Sequence, residues 1–176
     1  ELPVLIGIPS LQPEPWVQVN LPSASGPSDP TIYRVFDKFP DQEFSEHVKQ
    51  GQQIRILTTW IPLLDMFFDA LINALHAGTH AEILMLHPAS SAAVLRSLAI
   101  SALGGPKRKD RVQNGVHNNL TMLADVAKTL SSEQQQLLQV RLYHSLPSVL
   151  LYQVDVFCLA GFYFHGYMAS YAPQLQ

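Results

Sequence analysis

The sequence predicts an α/β fold, a mixed and largely parallel sheet flanked by helices, on three observations. Short apolar, β-branched runs alternate with stretches of helical period from residue 54 onward. The runs at 54–60, 81–86 and 138–143 are mostly apolar, as suits the strands of a largely parallel sheet between helices. The final two runs, in S-L-P-S-V-L-L-Y-Q-V-D-V-F-C-L-A-G-F, adjoin too closely for a crossover, so they form an antiparallel hairpin turning at Asp155.

The elements follow in order. Residues 1–30 are rich in Pro, Ser and Gly and read as a linker or extended arm, with a short strand at 16–20 and Trp16 docking on some surface. Residues 31–176 then form a single α/β domain. A strand is expected at 32–36 and a short helix at 40–50, with Asp41 near its start and Gly51 closing it. The run I-R-I-L-T-T-W at 54–60 is a strand.

Residues 63–77 give the clearest helix. Leu64, Phe67, Phe68, Leu71 and Leu75 share one face; Asp65, Asp69, Asn73 and His76 share the other. Pro62 suits its first turn and Gly78 its exit. A buried strand at 81–86 ends at His87-Pro88, and Ser90 or Ser91 caps a helix over 92–103 that stops at Gly104-Gly105-Pro106. Val112, Val116, Leu120, Leu123, Ala127 and Leu130 mark a long amphipathic helix, and 138–143 is the strand leading into the hairpin.

Composition excludes several classes. With 47% hydrophobic and 14% charged residues in 176, the chain can bury a full core, and its net charge of -3 argues against general polyanion binding. Cys158 is the sole cysteine, so no internal disulfide exists; its apolar run makes it a buried, inert thiol. The longest apolar stretch, 149–164, is broken by Gln153 and Asp155 and falls short of the roughly 18–20 residues of a membrane span. Residues 2–9 lack the basic start of a signal peptide. A cytoplasmic domain is expected. Because the chain starts at Glu1, it reads as a piece of a longer protein with a membrane or DNA-binding module upstream.

No G-x-S-x-G, P-loop or G-x-G-x-x-G occurs, and His76 and His80 straddle Gly78 without a metalloprotease pattern, so neither metal nor cofactor is expected. In such sheets ligands collect beyond the carboxyl ends of parallel strands. Those ends carry Thr58, Thr59 and Trp60, then His87, Ser90 and Ser91, then Tyr143, His144 and Ser145. Hydroxyls, imidazoles and aromatic rings there suit a polar-rimmed pocket, whereas ordinary caps and turns need the same residue types. Lys107, Arg108, Lys109 and Arg111 are a phosphate grip or a solvated loop. His165, set among aromatics, is a core residue or a functional one.

From residue 54 the order of strand, helix, strand, long insertion, strand and hairpin resembles one half of a phospholipase D-like domain. The hairpin is similar to the one bearing that superfamily's H-x-K-x(4)-D signature, with Asp155 on the Asp. Ser148 then stands where His belongs and Leu150 where Lys belongs. Leucine cannot neutralise phosphate charge and Ser148 has no evident base, so the resemblance implies the scaffold without phosphodiesterase chemistry. The stretches 59–62 (T-W-I-P), 87–91, 142–147 (L-Y-H-S-L-P) and 161–166 (G-F-Y-F-H-G) are also similar to a group of bacterial domains found beside signalling or DNA-binding modules.

The leading expectation is a non-catalytic sensor of a small anionic ligand, such as a cyclic or linear oligonucleotide second messenger, and the phospholipase D-like resemblance implies a homodimer or higher oligomer. On this reading Trp60, Tyr143 or Tyr152 stacks a base, Ser90 and Ser91 amides with Lys107 and Arg108 hold phosphates, and His165 gates. The alternatives are an interaction module with a dry apolar interface on residues 157–167, and a residual hydrolase using Ser148 or His165.

Overall fold

The computed structural model describes residues 34–101, 110–146, 148–163 and 172–176. The expected strand at 16–20, Lys107, Arg108, Lys109 and His165 lie outside them. The described chain runs β1 (Val35–Phe36), α1 (Asp41–Gln50), β2 (Gln53–Thr58), α2 (Leu64–His76), β3 (His80–Leu86), α3 (Ser91–Ser101), α4 (Arg111–Thr129), α5 (Ser132–Gln135), β4 (Leu138–Tyr143), β5 (Val149–Val154), β6 (Phe157–Phe162) and β7 (Gln174–Leu175). The seven strands form one sheet in the order β1-β7-β6-β5-β2-β3-β4.

The fold is α/β with a mixed sheet, and two sequence expectations need correction. The sheet is not largely parallel: β2 pairs with β3 and β3 with β4 in parallel, whereas the other four ladders are antiparallel. After β4 the chain does not cross over again. Instead β5 returns along the free edge of β2, and the turn at Asp155 sends β6 back beside it.

Nor are the helices spread evenly: among the described residues α1, α2 and α4 share one face of the sheet. Strand residues alternate, and the set Ile54, Ile56, Ala81, Ile83, Met85, Leu150, Tyr152, Val154 and Leu159 packs with α1, α2 and α4 into one core. β2, β3 and β4 step the same way across the sheet, and crossovers of the usual right hand put their helices on one side, where α2 and α4 share the main core. α1 joins them there through edge-on contact of Phe44 with Phe67 of α2, ring centroids 5.2 Å apart.

A second, smaller cluster closes the carboxyl ends of the parallel strands: Trp60, Leu86, Ala92, Ala93, Ile100, Val112 and Val116. It ties α3 and the start of α4 to that end of the sheet. No helix among the described residues is long and apolar enough to cross a membrane.

Candidate functional site at the strand ends

The turn after β2 is positioned from α4. Asn119 is buried, and its side chain holds both polar backbone groups of Ile61, accepting from the amide at 2.6 Å and donating to the carbonyl at 3.0 Å. The clamp fixes 59–62 against α4. Trp60 is thereby driven into the second cluster, where Gly115 leaves room for it; a Cβ at Gly115 would lie 2.7 Å from the indole Cδ1.

On this frame the polar groups converge. Tyr143, ending β4, donates its hydroxyl to the Thr58 carbonyl at 3.2 Å. Thr58 Oγ1 donates to the Trp60 carbonyl at 2.9 Å and lies 3.0 Å from the Tyr163 hydroxyl. A threonine hydroxyl has one proton, so Tyr163 is the donor in that second contact. The Tyr163 oxygen in turn accepts the Thr59 amide at 2.8 Å.

Arg96 of α3 completes the group, only 4% exposed, with its guanidinium carbon 4.6 Å from the Tyr163 ring centroid. Burial lowers the Arg96 pKa from its ordinary value, while Tyr163 and Tyr143 pull it back up. Burial likewise raises both phenols above the usual tyrosine range, so they remain neutral hydrogen-bonding groups beside the cation.

Of the residues singled out from sequence, Thr58, Thr59 and Tyr143 meet here. His87 lies alongside: its amide donates to the Tyr143 carbonyl at 2.7 Å, and its ring stacks on His144 with centroids 4.4 Å apart. His87 Nδ1 accepts the Ala89 amide at 3.2 Å, which puts the neutral ring's proton on Nε2. Ser91 opens α3 and is exposed, as are Ser145 and Ser148 in the turn before β5. Ser148 stays at this end of the sheet because its carbonyl accepts the Tyr163 amide at 3.2 Å.

Other expectations do not hold. Trp60 and Tyr152 offer no face to a base: Trp60 fills the second cluster, and Tyr152 is packed edge-on against Phe39 and Phe44, with centroids 4.7 and 5.4 Å away. Both rings are large apolar bodies next to a core that needed filling. Ser90 does not present its amide to a phosphate. The amide donates to the His87 carbonyl at 3.0 Å, and Oγ accepts the Ala93 amide at 3.1 Å as an ordinary N-cap. Phe157 and Leu159 are buried in the main core, so they form no dry outer interface.

Asp155 is a structural turn residue. Held at φ 49°, it accepts the Gln53 amide at 2.9 Å and the Gln52 amide at 3.1 Å, tying the hairpin to the start of β2. Leu150 faces the main core.

Sequence reasoning missed Arg96, Tyr163 and Asn119. Arg96 left a signal: it is the sole charged residue between Ser90 and Pro106 in a helix otherwise made of small and apolar residues. Asn119 left none, since an Asn on a long helix is ordinarily a solvent-facing residue.

Compared with protein-family models, with curated proteins and with solved structures, the chain matches none.

Proposed function

We propose that this is a non-catalytic ligand-sensing domain of a larger bacterial signalling or defence protein, cytoplasmic and self-associating, that takes a small anionic ligand at the strand ends. The observation that carries the reading is Arg96, a guanidinium buried beside Tyr143, Tyr163 and the Thr58–Thr59 backbone in a helix otherwise free of charge. A buried cation is costly to the fold, and its fork of donors suits phosphate or carboxylate better than any other ligand. Each charge-assisted hydrogen bond to such an anion contributes about 1.5–3 kcal/mol. Entry requires α3 to part from Tyr163, so ligand occupancy is coupled to the position of α3.

A degenerate phospholipase D-like scaffold is part of the same proposal. Its support is the element order from β2 to β6, the turn position of Asp155, and Ser148 and Leu150 at the two altered places of the signature. With Leu150 turned into the core and Ser148 exposed, neither stands as an attacking and charge-neutralising pair.

The test is calorimetric titration of cyclic and linear oligonucleotides into the wild type and Arg96→Met. The expected result is saturable heat with one class, weakened at least tenfold in the variant, with circular dichroism confirming that the variant folds. Heat from no member of the panel, or equal binding by Arg96→Met, sinks the reading.

A second reading, an interaction module without ligand, is favoured by one feature of α3: Val94, Leu95 and Leu98 point outward, Leu95 being 56% exposed. It predicts silence in the same titration.

A further inference from the structure

The sheet face opposite the helices has an order of its own. Following the ladder registers, Ala160, Leu151, Leu57, Leu84 and Arg141 lie side by side across β6, β5, β2, β3 and β4. The neighbouring row on that face reads Cys158, Gln153, Arg55, Glu82 and Gln139. Leu57, Leu84 and Leu151 belong to neither hydrophobic cluster, although each is half-buried. They floor a hollow of about 290 Å³ walled by Arg55, Glu82, Gln139 and Arg141. A solvent-facing sheet surface is ordinarily polar, so an apolar row across adjacent strands calls for a cover.

The polar row says what covers it. Centred between β2 and β3, it reads Gln153, Arg55, Glu82, Gln139, which is charge-palindromic: reversed, glutamine meets glutamine and each charge meets its opposite. Two sheets related by a two-fold axis running along the strands between β2 and β3 keep rows aligned, polar on polar and apolar on apolar. Arg55 of one copy then faces Glu82 of the other, Leu57 faces Leu84, and Leu151 meets the aliphatic stem of Arg141. The Arg141 guanidinium is already drawn into the polar row, 2.9 Å from Gln139 Oε1, and Arg55 Nε lies 3.2 Å from Glu82 Oε2 within one copy.

We infer that this sheet face, which no element covers at these two rows among the described residues, is where a second copy of this chain docks, face to face about that axis, joining the two Arg55–Glu82 pairs into one four-charge ring. Aligned sheets pack about 10 Å apart with strands within about 30° of each other, which leaves room for facing leucines. The four strands that face each other, about 4.8 Å apart, and the two side-chain rows, about 6.7 Å apart, give a face of roughly 260 Å² in projection. That is below the ~800 Å² per partner of a standard interface, so the dimer is concentration-dependent. The inference rests on the sheet and not on the ligand reading; no titration enters its test.

The experiment is sedimentation velocity on the full 176-residue chain, from low micromolar to the highest soluble concentration, with circular dichroism confirming that each variant folds. The wild type is expected to shift from monomer to dimer. Arg55→Glu alone and Glu82→Arg alone set like charges against each other and leave monomer. Combined, they reverse the row into another palindrome and restore the dimer. Leu57→Asp abolishes it in any background. A wild type that stays monomeric throughout overturns the inference. So does a dimer indifferent to Leu57→Asp, or a double variant no better than either single one.

Discussion

Helices α2 and α3 follow neighbouring parallel strands, yet they are built the opposite way round. α2 turns Leu64, Phe67, Leu71 and Leu75 into the main core and leaves Asp65, Asp69, Asn73 and His76 in solvent. α3 buries Arg96 and Ser97 and leaves Val94, Leu95 and Leu98 outside. The first arrangement is what the hydrophobic effect alone produces. The second costs stability, because a buried guanidinium loses its hydration. α2 thus builds the fold, and α3 gives up part of that contribution to bring polar groups to the strand ends. Of the second cluster, α3 itself supplies only the small Ala92 and Ala93 together with Ile100.

The contrast can be broken or sharpened by substitution. The largest effect is expected in α2: Leu71→Ala, at a fully buried position, costs about 2–5 kcal/mol in urea unfolding. A much smaller value would mean that α2 is not the keystone of the core. In α3, Ser97→Ala removes the hydroxyl that accepts the Val112 amide at 3.0 Å and donates to Gln113 at 3.1 Å. It leaves a buried amide at the start of α4 unpaired, a loss of about 1–3 kcal/mol by the same assay. The smallest effect belongs to the outward stripe, where Leu95→Gln changes stability by no more than about 0.5 kcal/mol. If that change instead costs several kcal/mol, the stripe is covered and the comparison between the helices fails.

How much could be read in advance differs element by element. The extents of α1, α2, β3 and β4 follow the hydrophobic period, and α2 even shows the expected solvent stripe. The end of β2 was set too late, because Thr59 and Trp60 look like strand residues until Asn119 draws Ile61 into a turn. The two-residue strands β1 and β7 add little periodicity of their own; β7 exists because β6 and β1 present edges for it. At the candidate site, Thr58, Thr59 and Tyr143 were found by the rule about strand ends. Trp60 was misjudged by the same rule, which knows where a strand ends but not which face its last aromatic ring takes, and Tyr152 lies inside β5 rather than at an end.

By itself the sequence determined the α/β class, the helix periods and the turn at Asp155, because each is a matter of local spacing or of residue identity. Only the tertiary structure decided that β5 returns beside β2, that Leu57, Leu84 and Leu151 join neither hydrophobic cluster, and that Arg96 points inward to Tyr163. Those outcomes depend on contacts between residues scores of positions apart, whose sign is set by which surfaces meet and not by the pattern along either one.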